Sequence, residues 1–255
     1  MIIDTHCHLD YPQFDEDRNA MLTRAAAQGV EGLILIGTDP QSWAATRELC
    51  ADASGRWRTA GIHPNSVEDR WDSQLEQALR AEAAAGELVG IGETGVDLFR
   101  SNSSKRLQME AFDAHLQLAR EIGLPIVIHQ RDAEEEVLEV LDNHPSVSGV
   151  LHCFGGDWSF AQKCLACGLH LGIGGVATFK RADATRDAVR QAPLERLVLE
   201  TDAPYLAPQA RRGKRNEPAF LPYVVETIAA ARGVSTLEIE AATTRNAVAL
   251  FGLQI

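Results

Sequence analysis

Residues 1–37, MIIDTHCHLDYPQFDEDRNAMLTRAAAQGVEGLILIG, hold one full period of the chain's organisation. Residues 1–4 and 32–37 are short runs rich in Ile and Leu, and residues 17–28 between them carry apolar positions at helical spacing. Strand, helix, strand is the βαβ unit, with parallel strands and a right-handed crossover. The alternation continues along the whole chain. Further strands are expected at 58–62, 88–91, 125–128, 149–151, 170–173 and 197–199. Further helices are expected near 40–53, 73–85, 103–122, 133–143, 158–166, 182–191 and 218–231. A last helix, 235–250, opens on Ser235 with Glu238 three residues on, the spacing of a capping box.

Eight βα units in 255 residues, with no G-x-G-x-x-G after the first strand, favour a closed (β/α)8 TIM barrel over an open doubly wound sheet. No Pro/Gly/Ser-rich linker or composition shift divides the chain. The expectation is an α/β fold, one domain over 1–255, with an extra C-terminal helix.

Composition narrows the function classes. The chain carries 24 Lys+Arg against 36 Asp+Glu, a net charge of -12. Binding nucleic acid through the whole surface needs clustered cations, so that mode is disfavoured, while a local site for an anionic substrate stays open. No apolar run approaches the ~18 residues of a membrane span. Five cysteines, an odd number, and no basic N-terminal segment followed by an apolar stretch point to a reducing cytoplasm. Cys164 and Cys167 form a C-x-x-C, but at a helix end with no second pair or neighbouring His, so they read as structural thiols. The four Trp share no face or spacing, and a base-stacking platform is not indicated.

In a barrel of this kind the strand C-terminal ends face the active site. Here they read Asp4-Thr5-His6-Cys7-His8, Gly61-Ile62-His63-Pro64, Gly92-Glu93-Thr94-Gly95-Val96-Asp97, Ile128-His129-Gln130-Arg131, Leu151-His152-Cys153-Phe154 and Leu199-Glu200-Thr201-Asp202. Five of the eight histidines therefore share one rim. One buried His alone is most often a hydrogen-bonded core residue. Five together, with carboxylates among them, are a metal-ligand set. His6 and His8 are two apart and point the same way on a strand. His6, His8, Glu93, His129, His152 and Asp202 exceed what one catalytic zinc takes, which argues for two divalent ions bridged by Glu93.

Off the rim the readings are plainer. His115 lies mid-helix and reads as structural, and His144 before Pro145 reads as loop surface. The irregular stretch 203–217, with Arg211, Arg212, Lys214 and Arg215, is either a solvated loop or a functional one, since guanidinium forks suit phosphate oxygens.

These strings, together with Val127-Ile128-His129-Gln130-Arg131-Asp132-Ala133, Glu200-Thr201-Asp202-Ala203-Pro204-Tyr205-Leu206, Arg212-Gly213-Lys214-Arg215-Asn216-Glu217-Pro218 and Thr244-Arg245-Asn246, are matched in order by a known family. The chain resembles the TatD family of metal-dependent deoxyribonucleases, within the amidohydrolase-like barrels. The resemblance implies His6, His8, Glu93 and Asp202 around one ion, and Glu93, His129 and His152 around the other. Two positions depart from it. Many relatives carry an aromatic residue where this chain has Leu98, and Ser where it has Gly155, both beside the pocket wall rather than among ligands.

The resulting expectation is phosphodiester hydrolysis at DNA ends by an activated water, with two ions of magnesium, manganese or zinc. Asp202 is expected to be the general base, with Glu93 bridging and Glu200 supporting a ligand or the water. His63, Arg131 and Arg215 are expected to contact phosphate. No membrane and no obligate protein partner is implied. One alternative is amide, ester or lactone hydrolysis, including aminoacyl esters, on the same metals. The other is metal-dependent phosphate binding without turnover.

Overall fold

In the computed structural model, residues 1–51, 53–67, 71–100, 104–145 and 147–255 are described. Eight parallel strands run in chain order around a nearly closed barrel: β1 (Ile2–Cys7), β2 (Val30–Gly37), β3 (Arg56–Ala60), β4 (Gly90–Asp97), β5 (Ile126–Arg131), β6 (Gly149–Leu151), β7 (Leu169–Ile173) and β8 (Leu197–Leu199). Among the described residues the helices are α1 (Arg18–Ala27), α2 (Pro40–Cys50), α3 (Ser73–Ala84), α4 (Lys105–Ile122), α5 (Glu134–Asp142), α6 (Trp158–Ala166), α7 (Asp183–Gln191), α8 (Leu221–Arg232) and α9 (Thr236–Phe251). The expected start of α4 at Ser103, and Asp52 in the expected second helix, lie outside the described residues.

Local chemistry sets the helix starts. The Asp39 side chain accepts from Ser42 N at 2.9 Å and the Ser42 hydroxyl accepts in return from Asp39 N at 3.0 Å, with Pro40 supplying the first helical residue. Asp72, Ser104 and Asp157 cap α3, α4 and α6, and Ser235 accepts from Glu238 N at 3.2 Å at the start of α9.

Strand alternation divides the apolar residues into two sets. Leu33, Leu35, Ile126, Ile128, Leu197 and Leu199 pack outward among the helices. Ile3, Ile34, Ile36, Val127, Val150 and Val198 form a second cluster with Phe251 and Leu253, so the end of α9 stops the barrel floor. The extra C-terminal helix is therefore part of the core.

Three strands reach further than the apolar runs suggest: β1 to Cys7, β4 to Asp97 and β5 to Arg131. The pairing Thr94–Ile128, Gly95–His129, Val96–Gln130, Asp97–Arg131 shows why, because neighbouring backbones continue the ladder past the hydrophobic run. Register shifts fall between Asp4 and Cys7 and between Ile91 and Thr94. They turn side chains over. Ile91 packs with the outer set, yet Glu93, two residues on, faces the histidines of the barrel mouth. Gly92 (φ 127°) and Gly95 (φ 141°) permit that bend, and a Cβ on them would lie 2.4 Å from Val127 O and 2.0 Å from His129 O.

The first and last strands meet through side chains as well as backbone. Asp4, fully buried, accepts from Thr201 N at 2.9 Å and from Thr201 Oγ1 at 2.6 Å, and Thr5 Oγ1 donates to Leu199 O at 3.0 Å. Burial pushes Asp4 up to about 7 against the lowering effect of these hydrogen bonds. Beyond them Asp202 N donates to His6 O at 2.9 Å and His8 N to Ala203 O at 2.8 Å.

His144 corrects the expectation of a surface position. Its ring is buried, and Nε2 stands 2.7 Å from Asp113 Oδ1 of α4. His115 is core, as its helix position implied: Nδ1–H donates to Ala111 O at 2.6 Å and Nε2 accepts from Ile62 N at 3.0 Å. The five cysteines are unpaired, and Cys164 is fully buried.

Candidate metal centre

The two register shifts and the β1–β8 seam bring the strand ends to one point. His6 Nε2 and His8 Nε2 face each other at 3.3 Å. Glu93 Oε2 lies 3.3 Å from His6 Nε2 and 3.9 Å from His8 Nε2, and Asp202 Oδ1 lies 3.8 and 3.4 Å from the same atoms. The other oxygen of Glu93 faces the other strands: Oε1 is 2.8 Å from His129 Nδ1, 3.6 Å from His152 Nε2 and 3.7 Å from His63 Nε2. The His6 and His152 rings stack at 3.5 Å between centroids.

Each outer imidazole is backed by a carboxylate. Glu200 Oε1 is 2.9 Å from His152 Nδ1 and accepts from Cys153 N at 2.6 Å. Asp97 Oδ2 is 3.2 Å from His129 Nε2 and also receives Asn65 Nδ2, while Asp97 Oδ1 caps Phe99 N and Arg100 N. With one nitrogen so held, the other is fixed in direction.

This donor set suits divalent cations. Burial raises the Glu93 carboxyl, yet His6, His63 and His152 outweigh it and hold the group well below the usual carboxylate range. Burial lowers His152, but Glu200 and Glu93 carry it up to about 10, so without other positive charge the site draws in a proton. Two imidazole nitrogens 3.3 Å apart, beside buried Glu93 and part-buried Asp202, form a concentrated N/O donor set of the kind borderline metals prefer. Among the described residues, His6, His8 and Glu93, then His6, His152 and Asp202, and then His63, Glu93 and His129 each place one donor atom within 4.8 Å of the others.

Two cavities flank the cluster. One, of about 620 Å³, has Asp10, Tyr11, Thr38, Asp39, His63, Asn65, Arg100 and Tyr205 in its wall. The other, of about 790 Å³, is walled by Leu98, Asp132, Glu134, Gly155, Gly156, Val176 and Leu206. Both open on His129, Arg131, His152 and Asp202. The two departures from the family pattern, Leu98 and Gly155, thus belong to one pocket.

The expected phosphate contacts divide. His63 lies in the first cavity, and because its Nδ1 accepts from Asn65 N at 3.1 Å the neutral ring carries its proton on Nε2. Burial pushes its pKa down to about 3, ahead of the opposing pull of Glu93. Arg131 lines both cavities, its guanidinium 3.9 Å over the Phe99 ring. Arg215 is not brought to the mouth. It holds both oxygens of Asp17 at 2.7 and 2.9 Å and Gln13 O at 2.6 Å, which spends the fork on the loop before α1.

Asp4, Asp97, Arg100 and Tyr11 were not singled out from sequence. Asp97 had a signal, since it lies two residues after Gly95 in the same string that carries Glu93. Tyr11, stacked 4.8 Å from the His8 ring and edge-on to Tyr205 at 6.0 Å, had none.

Comparison with known proteins gives the family. The family described as TatD related DNase matches residues 3–252. A Bacillus subtilis (strain 168) protein, the uncharacterized metal-dependent hydrolase YabD, is 37% identical over 253 residues, covering 98% of this chain and 99% of its own. The 3'-5' ssDNA/RNA exonuclease TatD of Klebsiella pneumoniae (strain 342) is 38% identical over 262 residues, covering 100% and 99%. The crystal structure of YJJV, a TatD homolog from Escherichia coli K12, superposes with a TM-score of 0.93 at 31% identity, covering 99% of this chain and 98% of that one. The chain belongs to the family of TatD related DNases.

Proposed function

We propose that this protein is a metal-dependent nuclease that hydrolyses phosphodiester bonds at DNA ends, with residues 1–255 as one catalytic barrel. The observation that carries the reading is Glu93, whose two oxygens face two different sets of imidazoles. We assign His6, His8, Glu93 and Asp202 to one divalent ion, and Glu93, His129 and His152 to a second. Magnesium, manganese and zinc are the candidates. Such ions, when bound, polarise the phosphoryl oxygens and lower the pKa of water towards neutrality.

The chain's own residues supply the rest. Asp202 is the general base: its carboxylate is 14% exposed, opens on both cavities and accepts the proton of the attacking water. His63 donates from Nε2 to a phosphoryl oxygen, and Arg131 offers its fork to the next. Glu200 and Asp97 keep His152 and His129 oriented, and Glu93 joins the two halves. Five unpaired thiols support placement in a reducing cytoplasm. The family's description and the exonuclease relative's name support phosphodiester cleavage over amide, ester or lactone hydrolysis.

The test is cleavage of single-stranded and duplex oligonucleotides after chelation and after adding back each metal, beside a panel of esters, lactones and aminoacyl compounds. Restored release of nucleotides supports the reading. Turnover confined to the ester panel, or no cleavage with any metal, rejects it.

A further inference from the structure

We propose that the loops after β7 and β8 form one basic platform that holds the backbone of a single nucleic-acid strand outside the metal mouth. The inference rests on the nuclease reading and names the surface that grips the strand beyond the scissile bond.

The chain is acidic overall, yet Lys180 and Arg181 after β7, and Arg211, Arg212 and Lys214 after β8, are all exposed. Among the described residues no carboxylate lies within salt-bridge distance of these five, for the nearby acids are engaged elsewhere: Asp183 with Arg186, Glu217 with Arg24. The two loops are one unit. Gln209 N donates to Thr178 Oγ1 at 2.8 Å and Lys180 N to Gln209 Oε1 at 3.4 Å. Leu206 O presses on Gly175 so closely that a Cβ there would stand 1.9 Å from it.

Aromatic rings hold two of the guanidinium groups. Arg212 lies 4.2 Å over the Phe179 ring, across the two loops, and Arg211 lies 5.3 Å over Phe220 and over Tyr223. Cations held in this way are ordered before a phosphate arrives.

Position ties the platform to the mouth. Val176 and Leu206, from the same two loops, line the second cavity with His129, His152 and Asp202. Besides Arg100 and Arg131, the cavity walls carry Asp10, Asp39, Asp132, Glu134, Glu135 and Glu136, an acidic excess that disfavours further phosphates there. The remaining charge of a strand must be met outside them, and this platform is the adjoining basic surface. Exposed Tyr205 and Leu206 between platform and mouth suit unstacked bases rather than a paired duplex.

The experiment uses the metal-loaded full chain and a labelled phosphorothioate dodecathymidylate, with binding read by fluorescence anisotropy across a salt series. The platform variant combines Lys180→Gln, Arg181→Gln, Arg211→Gln and Arg212→Gln. A control removes the same charge elsewhere through Lys105→Gln, Arg106→Gln, Arg120→Gln and Arg190→Gln. Five phosphate contacts predict weakening on the order of 100-fold between 50 and 200 mM salt for the native chain, and about 3-fold when one contact remains. The control is expected to keep the native salt slope, and hydrolysis of bis(p-nitrophenyl) phosphate is expected to be equal in all three. A platform variant with the native slope, a control that falls as far, or a native chain that ignores the oligonucleotide and binds anionic vesicles or polyglutamate would overturn the proposal. Binding with no hydrolysis of any phosphodiester would instead reject the nuclease reading and leave the platform standing.

Discussion

Asp97 stands directly behind His129, with Oδ2 3.2 Å from Nε2 while Nδ1 of the same ring faces Glu93 at 2.8 Å. Glu200 stands in the same relation to His152. Both carboxylates are buried, so the two imidazoles leave the barrel wall already aimed. Removing the support should loosen one ion and spare the other. Asp97→Ala is expected to weaken binding of one divalent ion about 10–100-fold, with partial recovery in Asp97→Asn. Calorimetric metal titration checks this, and two unchanged binding steps in Asp97→Ala would refute it.

In the proposed assignment Glu93 serves both ions, whereas each histidine serves one. Glu93→Gln is therefore expected to lower turnover and metal content more than His6→Ala, His8→Ala, His129→Ala or His152→Ala taken singly. Metal analysis beside oligonucleotide cleavage reads both. A Glu93→Gln protein with two ions and a native rate would remove the bridge.

His115 gives the fold an acid sensitivity separate from the site. Burial, opposed by the hydrogen bond to Ala111 O, lowers its pKa to about 4 from an ordinary value of 6.5. At pH 7 the ring is neutral in folded and unfolded chains alike. As pH falls from 6.5 towards 4, the unfolded chain takes up a proton that the folded one refuses, and stability is lost at up to about 1.4 kcal/mol per pH unit. Urea unfolding of the native chain and His115→Gln at pH 7 and pH 4 should show the native chain losing about 3 kcal/mol more over that interval. Parallel losses would contradict the assignment.

Leu98 and Gly155 line the second cavity and offer no donor atom to the cluster. A Cβ at Gly155 would meet Val176 Cγ1 at 3.4 Å, an ordinary contact, so Gly155→Ser should fold normally and narrow the pocket. Gly155→Ser and Leu98→Tyr are expected to change KM among oligonucleotides several-fold while metal content holds. A loss of metal in either variant would show that the wall and the ligands are not separable.

The order of strands and helices was legible because apolar periodicity switches between two and 3.6 residues at every crossover. The mouth was less legible. The ends of β1, β4 and β5 run into polar residues, and only neighbouring backbones keep them extended. Parity along β4 sends Glu93 to the side of Ile91, and the register shift that reverses it leaves no mark beyond Gly92 and Gly95. Arg215 sits close in sequence to Asp202, but its partner Asp17 is 198 positions away, and pairing at that distance is written in the fold. His144 misled for the same reason: Pro145 announces a loop, and Asp113 draws the ring inward.

The seam between β1 and β8 joins residues 197 positions apart, with Asp4 on one side and Thr201 on the other. A ribosome making this polypeptide releases His6 and His8 long before Asp202. Under the proposed ligand assignment the nascent chain carries an incomplete set until Asp202 has emerged, and a fragment that stops short of it is expected to be catalytically silent.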